Sequence, residues 1–161
     1  MNPADLLLAD GNDLLLNVSL LALRVFTGIA FIQHGLPKLR QLKPWAGMLG
    51  MPTWLCALSA SSMVLGGVGL IMGFLTAASA LSIAGSMAYA VVFLGSHGAS
   101  FIPPEPFELP AGDYMGSVGP GEPASWEKAA LYVLICALLV GAGPGAYSLD
   151  TIWLLPLLGG H

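Results

Sequence analysis

The strongest constraint in this sequence is a run from Pro44 to Pro104 that contains no Asp, Glu, Lys or Arg. The run holds two apolar segments with the ~20 residues that a helix needs to cross a bilayer. Because 56% of the chain is hydrophobic and only 9% is charged, a soluble domain of this size would have too little polar surface. The sequence therefore predicts an integral membrane protein.

Four apolar segments have the length of a transmembrane helix, and a loop rich in Pro and Gly precedes the last one. The predicted helices cover about residues 14–33, 52–74, 77–96 and 126–142, and the long loop covers 98–125. Small residues on the second helix, including Gly66, Gly69 and Gly73, favour close helix packing in lipid. We expect an all-α fold, a polytopic membrane four-helix bundle formed by a single domain over residues 1–161. A short C-terminal segment, 148–158, is expected to lie at the membrane interface.

The basic residues predict the orientation in the membrane. Lys38, Arg40 and Lys43 cluster after the first helix, while both chain ends lack Lys and Arg. Cytoplasmic loops carry the excess of basic residues, so the first and third loops are expected in the cytoplasm and both termini outside. The N-terminus lacks the basic start of a signal peptide, so we expect the first helix to be retained. The formal charge of −4 argues against nucleic acid and against a polybasic lipid-binding surface.

Arg24 lies within the first apolar segment, where a charged side chain costs ~2.5–3.5 kcal/mol. At ~100° per residue, it falls on one stripe of the helix, which should face the other helices. The stripe contains Asn17, Arg24, Gly28, Phe31, Gly35 and Lys38, with Thr27 at its edge. Asp150 is the predicted counter-ion. Two interpretations remain open: a structural pair of Arg24 with Asp150, or a ligand-binding role for Arg24.

Two histidines end parallel predicted helices, His34 the first and His97 the third, so both are expected at the same interface. Lys38, Trp45, Trp126 and Glu127 belong to the same layer. Quinone carbonyls accept hydrogen bonds, and His exchanges protons near neutral pH. The predicted quinone ligands are Arg24, His34, Lys38 and His97. The alternative is that both histidines bond loop carbonyls. We predict neither a haem nor a metal site.

The loop 98–125 is long for a compact membrane protein and contains several aromatic residues. Loops of this length are commonly functional or disordered. We predict that Phe101, Phe107 and Tyr114 dock another subunit. The expected partners are therefore membrane lipid and other membrane or membrane-associated proteins.

Several motifs resemble those of the DoxX family over about residues 20–151. They are Arg24, the segment Phe31-Ile32-Gln33-His34-Gly35-Leu36-Pro37-Lys38-Leu39, the pair Gly66-Gly67, the segment Gly73-Phe74-Leu75-Thr76, Met87, Glu127, and Gly143 to Asp150. The resemblance implies a four-helix membrane protein of a bacterial or archaeal cytoplasmic membrane. It also implies that Arg24, His34, Gly35, Lys38 and Asp150 are shared positions. Relatives include the membrane subunit of thiosulfate:quinone oxidoreductase.

One departure from the family concerns the second helix, where many relatives carry an acidic residue and this chain has Ser61-Ser62-Met63. The first function hypothesis is a membrane subunit of a quinone-linked redox system that binds the headgroup near the cytoplasmic interface. The alternative is a non-catalytic structural or assembly subunit of a larger membrane complex, which the missing acid favours. The sequence assigns no catalytic residue, so whether the chain is an enzyme is left open.

Overall fold

Helices make up most of the part of the chain that the structure describes. A computed structural model describes residues 14–105 and 123–157. The elements are α1 (Leu14–Arg40), α2 (Leu42–Leu49), α3 (Thr53–Met72), α4 (Thr76–Ser96), α5 (Glu127–Ala142), a π-helical turn (Asp150–Leu154) and α6 (Leu155–Leu157). Over these two ranges the only β pairing is an isolated bridge between Ser100 and Ser125. The predicted all-α class is confirmed.

Three helices, α1, α3 and α4, are long and apolar enough to cross a membrane. This confirms a polytopic integral membrane protein. The fourth predicted span forms as α5, but its 16 residues give about 24 Å, less than the ~30 Å hydrocarbon core. Its crossing of the bilayer, like the position of the termini, stays a prediction.

The first helix continues to Arg40, seven residues beyond its predicted end at Gln33. Pro37 lies inside it and lacks an N–H, but its carbonyl still accepts a bond from the N–H of Gln41 at 3.0 Å. The proline therefore removes one helical bond without ending the helix. As a consequence His34 and Lys38 are helical residues four positions apart, and both project from one face of α1.

The described residues form two compact units, with boundaries inside α4 and α5. Unit 1 comprises residues 14–86 and 136–157, and unit 2 comprises 87–105 and 123–135. In unit 1, α1 and α3 meet backbone to backbone, because a Cβ on Gly67 would lie 2.7 Å from the Gly28 carbonyl oxygen. Helix α4 packs on the opposite side of α3, where the hydroxyls of Ser62 and Ser86 are 2.6 Å apart. The predicted small-residue packing of the second helix is confirmed.

Unit 2 contains the two described ends of the long loop. The Glu127 N–H donates to the Phe101 carbonyl at 3.1 Å, and the rings of Phe101 and Trp126 lie 4.5 Å apart. Phe101 is therefore half exposed and packs against the start of α5. The other predicted docking residues, Phe107 and Tyr114, lie outside the described residues. Docking of a partner by this loop stays a prediction.

Candidate functional site

The buried face of α1 carries an unusual number of polar groups. Its buried residues are Asn17, Leu20, Arg24, Thr27, Gly28, Phe31 and Gly35. This confirms the stripe predicted from the helical period. The polar members lie toward the N-terminal half, where α1 meets the turn between α3 and α4 and the segment that follows α5.

Arg24 is completely buried in unit 1. Its Nη2 donates a hydrogen bond to the backbone carbonyl of Tyr147. Its Nη1 lies directly over Gly73, where a Cβ would collide with it. Neither Nε nor Nη1 has an acceptor among the residues described here, and the same holds for the buried hydroxyls of Thr27 and Thr76. The guanidinium is therefore positioned by one hydrogen bond to a carbonyl and by close packing against Gly73.

Asp150 is also buried, and it bonds to the backbone at the start of α4. Its Oδ1 accepts from the Leu75 N–H and its Oδ2 from the Thr76 N–H, both at 2.7 Å. Its own N–H donates to the Gly73 carbonyl at 2.9 Å. A carboxylate on the free N–H groups of a helix N-terminus is favourable by both hydrogen bonding and the helix dipole. Asp150 thus caps α4 from the far end of the sequence.

The turn between α3 and α4 presents these N–H groups because of its backbone conformation. Gly73 has a φ of 64° and Leu75 a φ of 47°, both left-handed. This region costs a non-glycine residue about 1–2 kcal/mol. The Asp150 bond to Leu75 therefore stabilises a turn that its own sequence disfavours.

Further bonds tie the segment after α5 to α1. The Asn17 Oδ1 accepts from the Ala146 N–H at 2.7 Å. The Ser148 hydroxyl donates to the Gly145 carbonyl at 2.9 Å and accepts from the Thr151 N–H at 3.1 Å. We call Asn17, Arg24, Gly73, Ser148 and Asp150 the Arg24 cluster. It joins α1, the α3–α4 turn and the C-terminal segment.

Arg24 and Asp150, the pair predicted from the sequence, both belong to this cluster, and no direct hydrogen bond joins their side chains among the described contacts. The carboxylate attracts the guanidinium electrostatically. Among the described contacts, however, each side chain bonds backbone groups, Arg24 at Tyr147 and Asp150 at the α4 start. Arg24 is level with Gly73 at the end of α3, so it lies beside the α3–α4 turn.

A second group of polar residues lies near the C-terminal end of α1. The Lys38 Nζ is 3.7 Å from the Met63 Sδ and 5.0 Å from the centroid of the Trp45 ring. Lys38 is half buried, and no described carboxylate forms an ion pair with it. His34 is exposed one turn before, with its ring 6.4 Å from that of Phe31. We call His34, Lys38, Trp45 and Met63 the Lys38 layer.

Two of the predicted quinone ligands lie far apart along α1. Arg24 and Lys38 are fourteen residues apart on one helix, about 21 Å along its axis. His97 belongs to unit 2, where its Nδ1 donates to the Phe93 carbonyl at 2.7 Å and its ring lies 4.2 Å from the Phe93 ring. Phe93 belongs to α4, so this carbonyl is in a helix and not in a loop, and bonding of the histidines to loop carbonyls stays a prediction. A site shared by His34 and His97 stays a prediction.

Some residues of these groups were not identified from the sequence. Met63 is an ordinary apolar residue of α3, and nothing in its pattern marks it as a neighbour of Lys38. Gly73 carries a detectable signal, because a glycine just after an apolar helix commonly adopts the left-handed C-terminal conformation. Its contact with Arg24 depends on the tertiary packing and could not be read from that signal.

The family model described as DoxX matches residues 19–96. The matched residues, just under half of the chain, are similar to the DoxX family. The DoxX match contains Arg24, His34 and Lys38 but ends before Asp150, so the resemblance of the C-terminal motif stays a prediction. No curated protein and no solved structure matches the chain.

Proposed function

We propose that this chain is an integral membrane subunit of a quinone-linked redox system, and that its Lys38 layer binds the quinone headgroup. The observation that carries the proposal is the environment of Lys38. Its ammonium group is half buried beside Met63 and Trp45, with no carboxylate partner among the described residues. An ammonium group so placed has donor capacity that a ligand acceptor can use.

The chemistry of a quinone fits this layer. A quinone carbonyl oxygen accepts a hydrogen bond from an ammonium N–H, and a reduced quinone anion gains from the positive charge. The Trp45 ring offers a flat apolar surface to the headgroup, and it already lies under the Lys38 ammonium. The thioether of Met63 is a weak acceptor, so a quinone oxygen is a better partner for Lys38.

His34 supplies the proton chemistry in this proposal. Residues four apart on a helix have Cβ atoms about 6 Å apart, which allows His34 and Lys38 to reach one headgroup. Reduction of a quinone to a quinol takes two electrons and two protons. An exposed imidazole can pass protons between water and the headgroup near neutral pH. The electrons would come from a redox protein docked to this subunit.

The position of the layer also suits the isoprenoid tail. Leu36 on α1 and Leu58 on α3 are both exposed, and both belong to helices long enough to span a membrane. Exposed leucines on such helices contact lipid chains. A tail leaving the headgroup would therefore remain in hydrocarbon. Arg24 is assigned no part in this site, because its guanidinium is buried at the Tyr147 carbonyl.

The assembly-subunit alternative has one observation in its favour. A Cβ added to Gly85 on α4 or to Gly141 on α5 would meet nothing within 4 Å. Both glycines are exposed, so these positions leave room for close approach by another helix. Under this alternative the chain assembles with partners and retains no quinone.

The test is native mass spectrometry of the protein extracted gently from its own membrane. The proposal expects a retained quinone mass. In Lys38→Met, loss of a hydrogen bond from a charged donor, ~1.5–3 kcal/mol, should weaken quinone retention at least tenfold. Lys43→Gln is the matched control, because it removes a lysine charge near the same helix end but from an exposed position. Its quinone retention should equal that of the wild type.

Two results would overturn the proposal. One is wild-type protein that carries partner subunits but no quinone. The other is equal quinone loss in Lys38→Met and Lys43→Gln, which would show that general surface charge and not the Lys38 layer holds the ligand. His34→Ala should retain quinone and slow its reduction, since this variant removes the proton carrier and leaves the ammonium group in place.

A further inference from the structure

The basic residues at the end of α1 have no acidic counterpart nearby. Three of the five Lys and Arg residues of the chain, Lys38, Arg40 and Lys43, fall within six positions, and no Asp or Glu occurs from Leu14 to Pro104. Within unit 1 the described acid is Asp150, which is engaged at the start of α4. The described residues of unit 1 therefore provide no acid that compensates the positive charge at this end.

Helical hydrogen bonds hold two of these charges close together. Gln41 separates α1 from α2, yet its N–H donates to the Pro37 carbonyl and its carbonyl accepts from the Trp45 N–H, both at 3.0 Å. This near-continuous bonding limits the freedom of the connection. Arg40 and Lys43 are three residues apart, at most about 11 Å between Cα atoms, and both side chains are exposed.

Large apolar side chains are exposed close to the same connection. Met48 on α2 is 80% exposed and Trp54 at the start of α3 is 68% exposed, and α2 packs against α3. Tryptophan is enriched where a membrane protein meets the headgroup layer. A short helix with exposed basic and apolar residues beside a spanning helix is suited to lie in that layer.

We infer that Arg40 and Lys43 bind the phosphate of an anionic phospholipid, with Trp54 and Met48 inserted beside its glycerol and upper acyl chain. Charge complementarity identifies the occupant: two exposed cations without an acidic partner face a surface that supplies phosphate groups. The whole-chain charge of −4 argues against a lipid-binding polybasic surface only if charges are evenly spread, and here they are not. The site is distinct from the Lys38 layer and does not depend on quinone binding.

The experiment measures lipid retention by native mass spectrometry of the full chain in nanodiscs holding equal amounts of phosphatidylglycerol and phosphatidylcholine. Wild type should retain phosphatidylglycerol preferentially. Each of Arg40→Gln and Lys43→Gln should lower that preference about fivefold, and the double variant about thirtyfold. High salt should reduce the preference of the wild type, because exposed charges are screened.

Lys128→Gln is the matched control, since it removes the same charge from an exposed residue of unit 2 and should leave the preference unchanged. Equal loss in Lys128→Gln, or no loss in the double variant, would overturn the site. Wild-type protein in pure phosphatidylcholine nanodiscs is also incubated with millimolar inorganic phosphate. Stable phosphate adducts there would assign the site to the free anion and overturn the lipid assignment. The double variant should keep its quinone, which separates this test from that of the Lys38 layer.

Discussion

Replacement of Asp150 by Ala removes the carboxylate that caps α4 and tests whether the C-terminal segment holds unit 1 together. The carboxylate accepts two backbone bonds of 2.7 Å. The bond to Thr76 is buried, so its N–H would lose a charged acceptor without access to water, at ~1.5–3 kcal/mol. Leu75 is 47% exposed, and solvation of its N–H lowers that loss to ~0.5–1 kcal/mol. We expect Asp150→Ala to lower the free energy of unfolding by about 2–4 kcal/mol.

Two comparison variants separate the hydrogen bonds from the charge. Asp150→Asn keeps the size and one carbonyl acceptor, so it should cost about half as much as Asp150→Ala. Arg24→Met loses the bond to Tyr147 but also removes two buried nitrogens that have no acceptor in the described structure. Because an unsatisfied buried donor costs ~1–3 kcal/mol, these effects offset, and Arg24→Met should change stability by less than Asp150→Ala.

The assay is reversible unfolding in mixed detergent micelles, followed by circular dichroism, with the free energy obtained from each variant's transition. The double variant completes the cycle and gives the coupling between the two side chains, which we expect to exceed ~0.5 kcal/mol. A loss below ~1 kcal/mol for Asp150→Ala would refute the reasoning. So would a larger loss for Arg24→Met than for Asp150→Ala, because the guanidinium and not the α4 cap would then be the main anchor.

Further predictions concern glycines and hydroxyls of unit 1. Gly73→Ala should destabilise by more than ~2 kcal/mol, because φ is 64° and the new Cβ would collide with the Arg24 guanidinium. The control Gly85→Ala should raise the free energy of unfolding by ~0.5–1 kcal/mol, since nothing lies within 4 Å of a Cβ at this helical position. Equal effects of the two changes on thermal unfolding would contradict the close contact of Gly73 with Arg24. A double-mutant cycle of Ser62→Ala and Ser86→Ala should give a coupling of ~0.6 kcal/mol, measured by the same unfolding assay, and zero coupling would mean that the hydroxyl pair does not join α3 to α4.

The fold was largely predictable because membrane helices are dictated by local composition. The long uncharged run predicts α3 and α4 to within two residues at each end, since hydropathy alone requires a helix there. The buried face of α1 also follows from the helical period. The end of α1 at Arg40 was not predicted from the sequence, because Gly35 and Pro37 are residue types that commonly end a helix. In the structure Gly35 packs tightly against α3, where the Ala60 carbonyl oxygen would lie 3.0 Å from an added Cβ.

The site was predictable only in part, because its contacts cross large distances in sequence. Arg24 and Asp150 are recognisable in the sequence as charged residues of an apolar chain that need partners. The partners themselves are not recognisable, because they are distant backbone groups. Arg24 bonds a carbonyl 123 residues away, and Asp150 bonds N–H groups 74 and 75 residues away. Backbone groups carry no signature in the sequence. Ser62 on α3 and Ser86 on α4 place their hydroxyls 2.6 Å apart, a helix contact that the sequence alone would not assign.

The charged groups near the two ends of α1 differ in the partners that the described structure gives them. From Leu14 to Pro104 the chain has cations but no anions. Arg24 is attracted by Asp150, which the C-terminal segment brings back to the α3–α4 turn, and it donates to the Tyr147 carbonyl, while its Nε and Nη1 have no acceptor among the described residues. No described acid pairs with Lys38, Arg40 or Lys43 at the other end. We therefore propose that a quinone carbonyl accepts a hydrogen bond from Lys38 and that a lipid phosphate binds Arg40 and Lys43, both at the end where α1 meets α2.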